Sequence, residues 1–347
     1  MAITRVEVCH AAPHFLSAHK TTKKAISLIH RASKNKANLI VSPETFISAF
    51  PIRSALRPPT HDHTLLHRMV DQSIYANGEE VQAIREAARE TKTIVSIGIS
   101  EKAHASVGCP YNSNLIIDAG EVLVHHRRLV PTFFEKLTWS HGDGHGLRIP
   151  DTKHGRIGAL ICGENTNPLA RYSFMAQREQ IHISSWPAVW PTRLASRSPE
   201  KGGEGSQYSA NYDDVLANRI RAATHCFEAK SFGVTCSAVL DREAIDMIAD
   251  GSSLEDSIRD ALERTSRGIL RVRLRISSTV DDSETGAHRP VEFLQNKERV
   301  LYADLDLDRC IEGKQYHDVV GGYQRLDVFQ LQVNRDKIQL FSSSLRI

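Results

Sequence analysis

Short apolar runs alternate with amphipathic stretches along the first two thirds of the chain. Residues 6–9 read as a short strand, and residues 39–42, ending at Pro43, as a buried one. Between them, residues 21–36 carry Ala25, Ile29 and Ala32 at helical spacing with charges opposite, which predicts an amphipathic helix. Residues 78–91 repeat the pattern with Val81, Ile84 and Ala88 on one face, and Glu79 and Glu80 suit the positive start of a helix. The β-branched run 93–99 predicts a strand. Residues 114–117 and 121–125 flank Asp118-Ala119-Gly120, which predicts a hairpin.

The second half continues the alternation. Residues 156–162 (RIGALIC) form a buried strand, followed by a helix from about Pro168 to Arg178 with Asn167 as its cap. Strands are expected at 180–184 and 232–239, and helices at 212–230, 242–249 and 254–264. Alternating strands and helices with hairpins argue an α/β fold with mixed sheets. Residues 192–210 are rich in Gly, Ser and charge and read as a surface loop. The tail after Tyr323 has strand-like alternation, and an arm packing on a neighbouring subunit is one reading of it.

Composition narrows the class. With 347 residues, 41% hydrophobic and 24% charged, the chain is long enough for a large core and is neither disordered, collagen-like nor a coiled coil. A net charge of +3 gives no electrostatic argument for nucleic acid or a membrane surface. The N-terminal residues lack a signal-peptide pattern, and no apolar run is long enough to span a bilayer. Six dispersed cysteines with no C-x-x-C pair read as reduced thiols of a cytoplasmic protein. One of them is therefore a candidate nucleophile.

Cys162 is the best placed. In LICGENTNPLARY a buried strand ends at the cysteine, then a glycine and a capped helix start follow. Such a strand–turn–helix elbow exposes a side chain at a sheet edge, and a helix N-terminus would lower the thiol pKa. A buried structural cysteine is the alternative. Glu44, in a Pro-Glu turn after another strand, could act as general base toward a thiol. The segment 125–144 adds a cation, Arg128, with Glu135 and Lys136 on the next turn.

These motifs, PETF after a strand, HRRLVPTFFE with WSHGDG, and CGENTNPLAR, resemble in order and spacing the nitrilase branch of the carbon–nitrogen hydrolase superfamily, and most of all the fungal and bacterial aliphatic and arylacetonitrile nitrilases. NRIRAATHCFE (218–228) and DVVGGYQRLDVF (318–329) fit the same branch. The resemblance implies a four-layer αββα sandwich, here a single domain over residues 1–335 with a C-terminal tail at 336–347. It implies a glutamate–lysine–cysteine set in which Cys162 attacks a nitrile carbon, Glu44 accepts the proton and Glu135 positions the reacting groups. A thioimidate and then a thioester are hydrolysed to the carboxylic acid and ammonia. No metal or organic cofactor is implied, the partner is a small-molecule nitrile, and relatives form dimers that extend into spiral homo-oligomers. Trp186, Gly163 and Thr132 are the candidate substrate contacts.

Several positions depart from that pattern. Arg128 stands where the family has lysine, and guanidinium is planar, larger and permanently charged. It can stabilise an anionic intermediate but cannot shuttle a proton. Gly163 stands where many relatives carry Trp, and Gly322 where histidine is usual. Residues 268–298 should hold a late core strand, yet Arg271, Arg273 and Arg275 alternate with Val272, Leu274 and Ile276. The segment is thus either an exposed edge strand or a divergent stretch of the gene.

Other features read more plainly. His61, His63 and His67 have no carboxylate or cysteine to complete a metal set and read as a solvated cluster. Arg264, Arg267, Arg271, Arg273 and Arg275 lack interleaved aromatics, which argues against nucleic acid. Trp139, Trp186 and Trp190 read either as pocket lining or as core. The expected activity is nitrile hydrolysis. The alternatives are a catalytically impaired nitrilase-like binding or assembly protein and hydration that stops at the amide.

Overall fold

The computed structural model describes residues 3–192, 212–265, 268, 271–273, 278–281, 288–291 and 294–338. The loop expected at 192–210 falls almost wholly outside them, as do Arg267, Arg275 and residues 339–347.

In the first half, β1 (Ile3–His10) leads into α1 (Ala18–Lys34), β2 (Leu39–Val41), α2 (Arg53–Leu56), α3 (His63–Gln72) and β3 (Ile74–Tyr75). Then come α4 (Glu79–Thr91), β4 (Ile94–Ala103), β5 (Ser106–Asp118), β6 (Glu121–Arg127), β7 (Asp151–Thr152) and β8 (Gly155–Ile161). The second half runs through α5 (Pro168–Met175), β9 (Ile181–Trp186), α6 (Asp214–Ala229), β10 (Phe232–Ser237), α7 (Arg242–Ala249) and α8 (Glu255–Arg264). It finishes with β11 (Arg271–Arg273), β12 (Ser278–Asp281), β13 (His288–Val291), β14 (Arg299–Asp306) and α9 (Arg309–Lys314).

Two mixed sheets result. One has the order β13-β12-β14-β1-β2-β4-β5-β6, with β3 beside β4, and the other β11-β10-β9-β8-β7. Their facing sides interlock. Val6, Val8, Leu39, Val41, Ile94 and Ile116 from the first meet Ile157, Ile181, Ile183, Phe232 and Val234 from the second. The outer side of the first sheet, with Cys9, Ile40, Val95 and Ile97, is covered by α1 and α4 through Ala25, Ile29, Ala32, Val81, Ile84 and Ala88. The second sheet is covered by α5 through Ala170 and Phe174 against Leu160, and by α6 against β10. The architecture is therefore the four-layer αββα sandwich. Each fully buried Ile or Leu in these layers contributes about 2 kcal/mol from apolar burial. Among the described residues no helix is long and apolar enough to cross a membrane.

Local sequence explains the elements that place the site. Parallel β1, β2 and β4 bring the C-terminal ends of their strands to one edge, and parallel β8, β9 and β10 do the same in the second sheet. The β5–β6 hairpin turns at Ala119 (φ 49°) and Gly120 (φ 83°), a two-residue left-handed turn that a glycine makes cheap. Its far end delivers Arg127 and Arg128 to the same edge.

The structure departs from the sequence reading at three places. The helix expected to 178 stops at Met175, and Arg178 turns left-handed at φ 61°. A late core strand lies just after 268–298, where β14 pairs with β1 over eight positions and buries Val300, Leu301, Tyr302, Ala303 and Leu305. Arg271 and Arg273 instead lie on β11, the edge strand of the second sheet, beside β10. The tail after Tyr323 forms no strand among its described residues. It runs back over its own chain, where Arg335 Nε donates to Leu147 O (3.0 Å) and Ile338 N to Asp143 Oδ2 (2.9 Å).

Candidate active site

Cys162 stands at the end of β8, at the first position of a tight turn spanning Cys162–Thr166. Its φ of 50° is left-handed, a conformation that costs a residue with a side chain about 1–2 kcal/mol. The surroundings hold it there. Asn167 caps α5 by accepting from Leu169 N (3.0 Å) and Ala170 N (3.2 Å). Glu164 accepts from Ile161 N (2.9 Å) and Leu129 N (2.6 Å) and meets His126 Nε2 (2.9 Å), so one carboxylate ties the end of β8 to the end of β6. Cys162 itself is buried against Ile161 and Trp186, with Trp190 at the margin.

Glu44 arrives from the end of β2. The backbone of Pro43–Thr45 lies so close over Gly98 of β4 that a Cβ at 98 would collide with it, so the glycine sets how deep the glutamate sits. Glu44 Oε1 accepts from Asn112 Nδ2 (2.7 Å) and from Arg128 Nη1 (3.2 Å). Its Oε2 is buried without a partner. Arg128 Nη1 also donates to Glu135 Oε1 (2.6 Å), and Nη2 donates to Thr132 Oγ1 (2.7 Å). Glu135 Oε2 in turn accepts from Thr132 N. The Cys162 Sγ and one oxygen each of Glu44 and Glu135 lie within 4.8 Å of one another. Cys162, Glu44, Arg128 and Glu135 are all buried, so four elements distant in sequence converge on one small volume.

The charge balance of that volume sets its chemistry. One guanidinium faces two carboxyls and a thiol. Burial pushes Glu44 up to about 8 against the pull of Arg128, with Glu135 adding to the rise. Burial also raises Glu135. It raises the Cys162 thiol well above its ordinary value, and Glu44 raises it further. Burial alone would lower Arg128, but Cys162, Glu135 and Glu44 outweigh it, so the guanidinium stays charged throughout. The thiol lowered by a helix N-terminus, expected from the sequence, is thus overturned: desolvation and a neighbouring carboxyl dominate. Such a thiol keeps its proton at rest and yields it only as it forms a bond, with Glu44 alongside to take it.

The remaining sequence candidates separate clearly. Gly163 abuts Arg128 and Thr132. Trp186 is buried beside Cys162, with the Arg221 guanidinium 5.5 Å from its ring centre. Trp190 packs against Phe50 and Phe134. Trp139 packs edge-on against Phe50, its Nε1 donating to Ser100 Oγ (3.2 Å). Lys136 is exposed. Gly322 lies in a turn closed on Asp318 O (2.9 Å). His61, His63 and His67 are exposed, His67 pairing with Asp71 (3.2 Å). Sequence reasoning gave no role to Asn112 or Glu164. Asn112 left no signal beyond a polar residue inside a strand, whereas Glu164 was visible in the CGEN motif. Among the described residues two buried groups have metal-ligand composition, Glu44–Glu135–Cys162 and Glu179–His182–His225. In the first, Arg128 Nη1 already lies between the carboxylates where a cation would sit.

Comparisons with known proteins show the family. A family model described as "Carbon-nitrogen hydrolase" matches residues 5–266. The chain is 29% identical over 333 residues to a nitrilase of Paraburkholderia phymatum, covering 96% of this chain and 87% of that one. It is 30% identical over 331 residues to an arylacetonitrilase of Aspergillus kawachii, covering 95% and 91%. In structure it is similar to a carbon–nitrogen hydrolase from Helicobacter pylori G27, with a TM-score of 0.61 at 18% identity over 94% of this chain and 97% of that one. At that identity the structural match speaks for the fold.

Proposed function

Because this chain belongs to the carbon–nitrogen hydrolase family, we propose that it is a nitrilase that converts an organic nitrile to the carboxylic acid and ammonia. The observation that carries this reading is the convergence of the Cys162 thiol, the unpartnered Glu44 oxygen and the Arg128 guanidinium in one buried site. Cys162 Sγ bonds to the nitrile carbon, its proton passes to Glu44, and the nitrile nitrogen takes up that proton to give a thioimidate. A water activated by Glu44 adds to the carbon, and the C–N bond breaks with release of ammonia, leaving a thioester. A second water cleaves the thioester, restores the thiol and frees the acid. Arg128 stabilises the anionic tetrahedral stages as a fixed charge. Glu135, bonded to Arg128 and to Thr132 N, holds the guanidinium in place. Proton transfers therefore rest on Glu44 alone. Trp186, Gly163 and Thr132 border the nucleophile and are the substrate contacts, and no cofactor takes part.

The covalent step gives the direct test. Intact-mass measurement during turnover should show an acyl-sized increment mapping to Cys162, and none in Glu44→Gln, which has no acceptor for the thiol proton. Absence of any adduct on a folded protein consuming nitrile would overturn the mechanism. One observation favours a second reading: Arg128 cannot act as a proton shuttle. A folded protein that binds nitriles without forming an adduct would be a nitrilase-like binding protein, and amide as sole product would mark hydration.

The same reading places the protein in the cytoplasm as one domain over residues 1–335, with 336–347 as a tail. Its six dispersed cysteines, five of them buried, suit a reducing compartment. It also makes the protein a homo-oligomer, a dimer extending to spiral assemblies. Leu169 of α5 and Leu216, Ile220 and Phe227 of α6 are exposed apolar side chains that support self-association. Light scattering on the purified chain tests this; a monomer at micromolar concentration would contradict it.

A further inference from the structure

Beside Glu44 the fold leaves a recess of about 20 Å³, where the segments that follow β1, β2, β9 and β10 meet. Phe15, Phe50, Ile52 and Leu240 are its bulky walls, and Ala188, Ala238 and Ala244 its thin ones. Apart from Glu44 and Thr45, every side chain that borders it is apolar. The recess adjoins the nucleophile. One Glu44 carboxyl oxygen lies within 4.8 Å of Cys162 Sγ. Ala188 stands two residues beyond Trp186, which packs on Cys162.

The walls are held in place. Phe50 is wedged among three aromatic rings, with ring centres 6.2 Å from Phe134, 5.4 Å from Trp139 and 5.9 Å from Trp190. Val239 N donates to Ala11 O (3.1 Å) and Gly268 N to Ala188 O (2.7 Å), which ties the segments after β10 and β9 to their neighbours. A wall of packed rings yields only with strain. Nor does Gly163 add room at the nucleophile, because Arg128 Nη2 and Thr132 Oγ1 occupy the space beside it.

Volume decides what fits. A water-sized group needs about 10–15 Å³, whereas a cavity that holds a benzene ring measures about 150 Å³. The recess is too small for a ring, and its apolar lining suits a hydrocarbon chain. We infer that it holds the chain of the substrate, that the substrate is a short aliphatic nitrile with about one or two carbons beyond the nitrile group, and that Phe50 sets the limit of length. This substrate class rests on the nitrilase reading for its reacting group, while the chain length follows from the recess alone.

Steady-state rates along the straight-chain series from acetonitrile to hexanenitrile, with phenylacetonitrile alongside, read the limit. kcat/KM should peak at acetonitrile or propionitrile and fall by about tenfold for each further carbon. Phe50→Ala removes a wall and should move the peak to longer chains. Ala244→Val fills the recess from α7 and should lower kcat/KM for propionitrile more than for acetonitrile; it serves if Phe50→Ala does not fold. A wild-type peak at a longer chain or at phenylacetonitrile, or an unchanged order in the folded variants, overturns the inference.

Straight-chain aldehydes separate that result from a failure of the nitrilase reading. A thiol adds across their C=O, sulfur to carbon and proton to oxygen, and gives a reversible hemithioacetal without any nitrile chemistry. At equal concentration and pH 9, acetaldehyde and propanal should protect Cys162 from iodoacetamide and hexanal should not. Were no nitrile consumed, that order would uphold the recess and reject the nitrilase. Equal protection along the series, or none, would overturn the recess as well.

Discussion

Gly163 leaves the room that Arg128 fills: a Cβ at position 163 would lie 3.2 Å from Arg128 Nη2 and 2.9 Å from Thr132 Oγ1. The larger cation and the missing side chain are therefore matched. Thr132 Oγ1 is short and already bonded to Nη2, so it cannot swing aside without breaking that bond. Gly163→Ala should lower kcat by about tenfold, equivalent to about 1.4 kcal/mol. The loss should shrink when Arg128→Lys is combined with it, because lysine has no second nitrogen in that space. Equal losses in both backgrounds would show that the two positions are independent.

Arg128 itself separates charge from size. Its Nη1 makes both carboxylate contacts, and an ammonium at that point could keep them. Arg128→Lys should therefore fold and raise turnover, since lysine can pass a proton where guanidinium cannot. Arg128→Met removes the charge and leaves buried carboxyls unpaired. It should lower stability by about 3–5 kcal/mol and abolish activity. Denaturant unfolding and steady-state rates on the two variants check both statements. An active methionine variant would remove Arg128 from the mechanism.

The pH profile follows from Glu44. As the proposed general base it must be ionised, and its carboxyl is raised to about 8. Below that value kcat/KM should rise about tenfold per pH unit and level off above it. The linkage to stability has the opposite sense. The folded value exceeds the ordinary 4.5, so the native state holds the extra proton, and raising the pH from about 4.5 through about 8 lowers stability. A flat kcat/KM between pH 6 and pH 9 would contradict the role of Glu44.

Much of the architecture was legible in the pattern of apolar residues. Leu39–Val41 and Gly155–Ile161 fall where their runs place them, and α7 matches its expected limits. The edge that gathers Glu44, Arg128 and Cys162 was foreshadowed by strand ends followed by polar turns. What the sequence hid is long-range. β14 pairs with β1 across almost the whole chain, and its VLYADLD run follows an arginine-rich segment with strand-like alternation of its own. Asn112 meets Glu44 only through sheet registry. The fit between Gly163 and Arg128 requires coordinates, although both departures were visible as letters. The direction of the thiol pKa is not legible either: a helix N-terminus is local and readable, whereas burial beside two carboxyls is neither.

Thiol labelling tests that last point. Cys109 is exposed while the other five cysteines are buried, and the Cys162 thiol is raised rather than activated. At pH 7 iodoacetamide should modify Cys109 first and Cys162 slowly, with Cys162 gaining as the pH rises. Peptide mapping over time reads the order. Preferential modification of Cys162 at neutral pH would mean a resting thiolate.

Ammonia release from aliphatic, aryl and arylacetonitriles by the purified protein, with Cys162→Ala in parallel, decides whether the chain hydrolyses nitriles through Cys162. The wild type should release ammonia with the carboxylic acid as co-product, and Cys162→Ala should release none. No release by a folded wild-type protein across the panel, or equal release by Cys162→Ala, would contradict this reading.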